Sequence, residues 1–262
     1  MSPKNIVLFG ESGVGKSSIV NLMAGEQRAK TSLDMRRCTM QWEQYSIAFD
    51  EHDYEVFDTV GLEEPQLGMR EYLDAIVNAY HLISRLEYGG GIDLLLFCVR
   101  AGRVTATIQS NYRLFFEWLC EGKVPVALVL TGLEREDNME DWWTRNEHIF
   151  KKYDIHVAGH ACISAVDGLD VRQQQLYEES RYLIRNLVIQ HTQGKQGGAY
   201  MGGDAWYRRV AQKLLESNLS FTLKKKDIET VLTKRCRIPP EAAKELARKI
   251  RSESSLGGKA SR

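Results

Sequence analysis

The stretch "GESGVGKSS" at residues 10–18 constrains this chain more than any other feature. It fits G-x-x-x-x-G-K-[ST] in full and stands in the right context. The continuous apolar run "NIVLFG" (5–10) precedes it, and a helical pattern follows. Its glycines, Gly10, Gly13 and Gly15, let successive backbone N–H groups converge on one anion. The N-terminus of the following helix adds a partial positive charge. Glu11, Ser12, Val14 and Ser18 complete the expected phosphate cradle. Lys16 would reach the outer phosphates, and the Ser17 hydroxyl would ligate Mg²⁺.

The rest of the chain repeats the strand-then-helix alternation. "QWEQYSIAFD" (41–50) and "YEVFD" (54–58), separated by "EHD", read as an antiparallel hairpin at a sheet edge. A helical pattern covers roughly residues 65–87 and is ended by "GGG" at 89–91. The runs 92–99, 124–130 and 156–164 read as strands, and 106–121, 139–152 and 172–190 as helices. Such alternation implies a mostly parallel sheet with helices on both faces.

"DTVG" (58–61) ends the second hairpin strand, about 40 residues beyond the phosphate loop. A carboxylate at Asp58 can hold Mg²⁺ through water. The Gly61 N–H can meet a terminal phosphate, ordered when that phosphate is present and released when it leaves. The polar segment 25–40 should supply a threonine to Mg²⁺. Thr39, directly before the edge strand, is the choice, and Thr31 is the competitor.

Composition sets the surroundings of this site. An apolar share of 43% supports a packed core. The formal charge is zero, yet residues 204–262 hold 15 Lys and Arg against 7 Asp and Glu. That basic end can meet an acidic partner or a membrane surface. Five cysteines stand far apart, with no C-x-x-C pair, as expected of free thiols in a reducing compartment. The N-terminal apolar run is too short for a signal peptide, and no run reaches membrane-spanning length. A soluble cytoplasmic protein is expected. The glycine-rich stretch 192–203 is expected to be a linker. Residues 204–251 are expected to form a basic helical appendage and 252–262 a disordered tail.

Five short segments then fall in one order: "GESGVGKSS", Thr39, "DTVG", "TGLE" (131–134) and "ISA" (163–165). In that order the chain resembles the translation-factor-class P-loop GTPases over about residues 4–190. It is similar to septin-like and immunity-associated GTPases and to fungal G-domain proteins. The resemblance implies a three-layer, Ras-like α/β domain over residues 1–191 that binds GTP or GDP with Mg²⁺. It implies a switch driven by the terminal phosphate, with Lys16, Thr39 and Gly61 at the reacting end and Ser17, Thr39 and Asp58 around the metal. It does not extend to residues 204–262.

Against that family the base-reading box departs. Thr131 is an accepted opening residue, but Gly132 takes the place of a lysine whose stem covers the base and braces the phosphate loop. Glu134 takes the place of an aspartate. A carboxylate there still accepts from guanine N1–H and the exocyclic amine and repels adenine N1. Trp142 or Trp143 could cover the base, though packing in a helix is the plainer expectation. The pair Ser164-Ala165 can offer a backbone N–H to guanine O6.

Hydrolysis is expected to be slow, because Leu62 stands where related enzymes carry a glutamine that orients water. The reading is a slow GTPase switch. Its rivals are a pseudo-GTPase interaction module and an ATPase on the same loop. A second subunit, paired across the nucleotide face, could complete the site through Arg36, Arg37, Arg100 or Arg103, all expected on loops. His156, His160 and Cys162 lie close in sequence, and structural roles are expected of them rather than a metal site.

Overall fold

A computed structural model of the chain describes residues 2–29, 42–59, 90–120, 122–166 and 170–193, together with Ala79, Leu82, Ile83, Arg85, Leu86 and Lys244. Six strands form one sheet: β1 (Lys4–Gly10), β2 (Trp42–Phe49), β3 (His52–Thr59), β4 (Leu94–Arg100), β5 (Val126–Thr131) and β6 (Gly159–Cys162). Their spatial order is β2-β3-β1-β4-β5-β6. Among the described residues, only the β2–β3 pair is antiparallel. The expected three-layer α/β architecture is therefore present.

The strands alternate their apolar side chains between two cores. Val7, Phe9, Leu95, Phe97, Leu128 and Leu130 face one. Ile6, Leu8, Leu94, Leu96, Ala127 and Val129 face the other. A strand with apolar residues at every position can satisfy both layers only when it is covered on both sides. On the second face lie α1 (Lys16–Ala24) and α4 (Val171–Thr192), through Ile19, Leu22, Ile184 and Val188. On the first lie α2 (Ala106–Tyr112) and α3 (Glu140–Lys152), through Ile108, Tyr112, Trp143 and Phe150. Each fully buried side chain of this size contributes about 1.5–3 kcal/mol.

Three differences from the sequence reading have local causes. The hairpin turn is the two residues Asp50 and Glu51, both left-handed, and β3 begins at His52. Paired positive φ values match the twist of the flanking strands. The expected helix 106–121 changes at Arg113 into a π-helical segment, Arg113–Leu119. The wider turn brings Leu114, Phe115 and Leu119 all to buried positions, with Phe115 stacked on Phe9 at 4.6 Å. Arg100, expected on a loop, is the last residue of β4. Of the expected helix 65–87, Ala79, Leu82, Ile83 and Leu86 are helical and buried in the first core. Its other residues lie outside the described ones, Arg85 apart.

Candidate functional site

β1 delivers the chain to the phosphate loop, and its last residue shows why glycine is needed. A Cβ on Gly10, at φ +149°, would stand 2.1 Å from the Cys98 carbonyl oxygen of the neighbouring β4. Gly13 and Gly15 take positive φ, and around Gly13 there is open space. α1 then starts without a capping side chain and without an acidic residue in its first turn. Its first N–H groups are thus left to an anion, which is what an anion site at a helix N-terminus requires. Lys16 is buried and lies back along the loop. Its ammonium donates to the Gly10 carbonyl at 3.2 Å and the Glu11 carbonyl at 2.8 Å.

Asp58 reaches this loop from the end of β3, next to β1. The Ser17 hydroxyl donates to its Oδ2 at 2.7 Å. The carboxyl is nearly enclosed, and burial raises its pKa above the ordinary carboxylate range. The Ser17 hydrogen bond and the Lys16 charge pull it back, and Glu43 adds to the rise. A hydroxyl and a carboxylate held together at the start of the helix are a hard-oxygen donor set suited to Mg²⁺.

The base side is tied to the phosphate side by one buried bond. Thr131 Oγ1 donates to the Val14 carbonyl at 2.7 Å, so the threonine of TGLE braces the phosphate loop directly. Gly132 follows at φ +80°. Glu134 is half-buried and carries no hydrogen bond or ion pair among the described residues. The Ser164 N–H donates to Ser180 Oγ at 2.9 Å, which leaves the Ala165 N–H as the open amide of that pair among the described residues. The Ser164 hydroxyl is buried and has no partner among them either. An orphaned hydroxyl beside an open amide fits a site built for a polar ligand. Both tryptophans belong to the packing of α3: Trp143 stacks on His160 at 4.5 Å, and Trp142 meets Phe150 edge-on.

Residues 5–132 match the protein family described as 50S ribosome-binding GTPase. That span takes in the phosphate loop, Asp58, and the first two residues of TGLE. Over that span, just under half of its length, the chain carries a P-loop GTPase-type domain. The translocase of chloroplast 34 homolog of Chlamydomonas reinhardtii is 34% identical over 103 residues, covering 36% of this chain and 25% of that protein. GTPase Der of Mycoplasma mycoides is 23% identical over 165 residues, covering 63% of this chain and 36% of its own. The chain thus spans only a quarter to about a third of the curated relatives it matches. The crystal structure of a point variant of Aquifex aeolicus Era bound to GDP·AlF₄⁻ shares the fold at a TM-score of 0.51 and 17% identity, covering 86% of this chain and 69% of that one.

Several expected residues lie outside the described ones: Thr39 and its competitor Thr31, Gly61, Leu62, Arg36 and Arg37. Two contacts had no signal in the sequence. Thr105, just before α2, donates to Glu11 Oε1 at 2.8 Å and so anchors the loop from the β4 side. Arg100 lies against Gly132, with its Cγ 3.2 Å and Nε 3.3 Å from where a Cβ would stand. His160 pairs with Glu140 at 2.5 Å, and with Cys162 their ligand atoms lie within 4.8 Å of one another. Burial, with the Glu140 carboxylate adding to it, pushes the Cys162 thiol up to about 12, which keeps it protonated. His156 pairs instead with Asp154. No helix among the described residues is long and apolar enough to cross a membrane.

Proposed function

We propose that the chain binds GTP and GDP with Mg²⁺ and hydrolyses GTP slowly, as a molecular switch. The observation that carries this reading is the 2.7 Å contact between Ser17 and Asp58, residues 41 positions apart that meet at the mouth of the phosphate loop. Ser17 would hold the Mg²⁺ directly and Asp58 through water, and the ion when bound would neutralise charge on the outer phosphates. Lys16 would turn from the loop carbonyls to the phosphate oxygens. Thr39 and Gly61 would sense the terminal phosphate. Glu134 would accept from guanine N1–H and its exocyclic amine, and the Ala165 N–H would meet O6.

Hydrolysis requires water to attack the γ-phosphorus while the bond to the β–γ bridging oxygen breaks. Leu62 offers no group to orient that water, so turnover by a lone chain is slow. Pairing of two chains across the nucleotide face would supply the missing charge. Arg103 suits that role, being exposed and without a polar partner among the described residues. A pseudo-GTPase reading draws on Gly132 and Leu62, which remove a base brace and a water-orienting group. The likeness to the matched relatives named as GTPases supports turnover. The cytoplasmic placement, and a basic region 204–251 acting as output on an acidic partner or membrane surface, belong to the same proposal.

Multiple-turnover phosphate release, followed over a range of protein concentrations, tests it. The expected result is slow, Mg²⁺-dependent release whose rate per molecule rises with concentration. A flat rate would remove the pairing. No turnover at any concentration, with nucleotide still bound, would leave the pseudo-GTPase.

A further inference from the structure

A lysine in the second place of the base box normally does two things: its stem lies over the base, and it braces the phosphate loop. This chain divides those tasks differently. The brace is already made by Thr131, whose hydroxyl bonds the Val14 carbonyl. The stem is missing, because position 132 is glycine at φ +80°, a conformation that an L side chain rarely adopts.

The space beside Gly132 is nevertheless lined. Arg100 pairs with Thr131 across β4 and β5, and the Ala101 N–H donates to the Thr131 carbonyl at 2.8 Å. From there the Arg100 side chain runs along the place where a residue-132 side chain would begin. Its Cγ, Nε and Cδ come within 3.2, 3.3 and 3.8 Å of that Cβ position. Arg100 is exposed, and its guanidinium has no polar partner among the described residues. Gly132 stands between the phosphate loop, tied through Thr131, and Glu134 two residues on.

Resting on the guanine-nucleotide reading above, we infer that Arg100 covers the face of the nucleotide base, doing from β4 what a lysine at position 132 would do from β5. A guanidinium is planar and weakly hydrated, and it stacks on an aromatic ring better than an ammonium does. Stacking of this kind holds any purine, so Arg100 supplies affinity and Glu134 supplies the choice of guanine. A glycine at 132 is then a requirement of the arrangement, since a Cβ there would press on the arginine stem.

Titration calorimetry on the full chain separates base from phosphate. GDP and inorganic pyrophosphate, each with Mg²⁺, are titrated into the wild type and Arg100→Ala, with the melting temperature as a folding control. The expected result is GDP affinity about tenfold weaker in Arg100→Ala, with pyrophosphate affinity unchanged. Arg100→Lys, which keeps the charge and loses the plane, should recover only part of the loss. GDP affinity unchanged in Arg100→Ala would overturn the inference and leave the guanine-nucleotide reading intact. Equal weakening of GDP and pyrophosphate would also overturn it, making Arg100 a phosphate contact. A wild type that takes pyrophosphate and not GDP would sink the parent reading and the inference together.

Discussion

Asp58 carries opposite demands at the scale of one residue. The proposed role beside Mg²⁺ would need its charge, while burial penalises it. An acid whose folded pKa is raised holds its proton longer in the native state than in the unfolded one. Stability therefore falls as pH rises from the ordinary carboxylate range through the folded pKa. Asp58→Asn should raise the melting temperature of the nucleotide-free, Mg²⁺-free protein at neutral pH, and this gain should vanish in acid. The same variant should lose the Mg²⁺ dependence of nucleotide affinity. Melting curves over a pH series, with and without Mg²⁺, check both. Lys16→Ala removes a charge-assisted contact worth about 1.5–3 kcal/mol, so GDP affinity should fall by one to two decades, read by nucleotide titration.

At the scale of elements, the site depends on how β1, β4 and β5 hold their loops. Thr131→Val keeps the shape of the side chain and leaves the buried Val14 carbonyl without its donor. The expected cost is about 1–3 kcal/mol in stability, measured by denaturant unfolding, with weaker nucleotide binding beside it. Gly10→Ala places a methyl group 2.1 Å from the Cys98 carbonyl oxygen, so β1 and β4 must separate. Loss of a cooperative melting transition is the expected outcome.

These elements also show what the sequence made legible. "NIVLFG" and "VPVALVL" read as buried strands because apolar residues fill both faces, and the motif after the first named the phosphate loop. Asp58 was legible because its place at a strand end was. Arg100 was not, because which side chain lies beside Gly132 depends on the register of β4 against β5, and one-dimensional spacing does not carry register. The π-helical segment escaped for a similar reason. Its wider turn answers to the packing of Phe115 on Phe9, a contact between distant parts of the chain.

On the scale of the whole molecule, α4 runs through Thr192, whose hydroxyl bonds the Val188 carbonyl one turn back. The boundary expected after residue 191 thus falls inside the helix's last turn. Ile184, Leu187 and Val188 of α4 lie in the second core, so this helix packs on the sheet into its last turns. A chain ending at Gln193 should keep the melting transition and GDP affinity of the full one, and lose whatever the basic region contacts.

The central claim is that this chain reads guanine through an altered box. Competition of GTP, GDP and ATP for the site in Mg²⁺, on the wild type and on Glu134→Ala, tests it most directly. The account predicts a guanine preference in the wild type that falls about ten- to a hundredfold in Glu134→Ala. Equal affinity for GTP and ATP in the wild type, unmoved by the substitution, would contradict it.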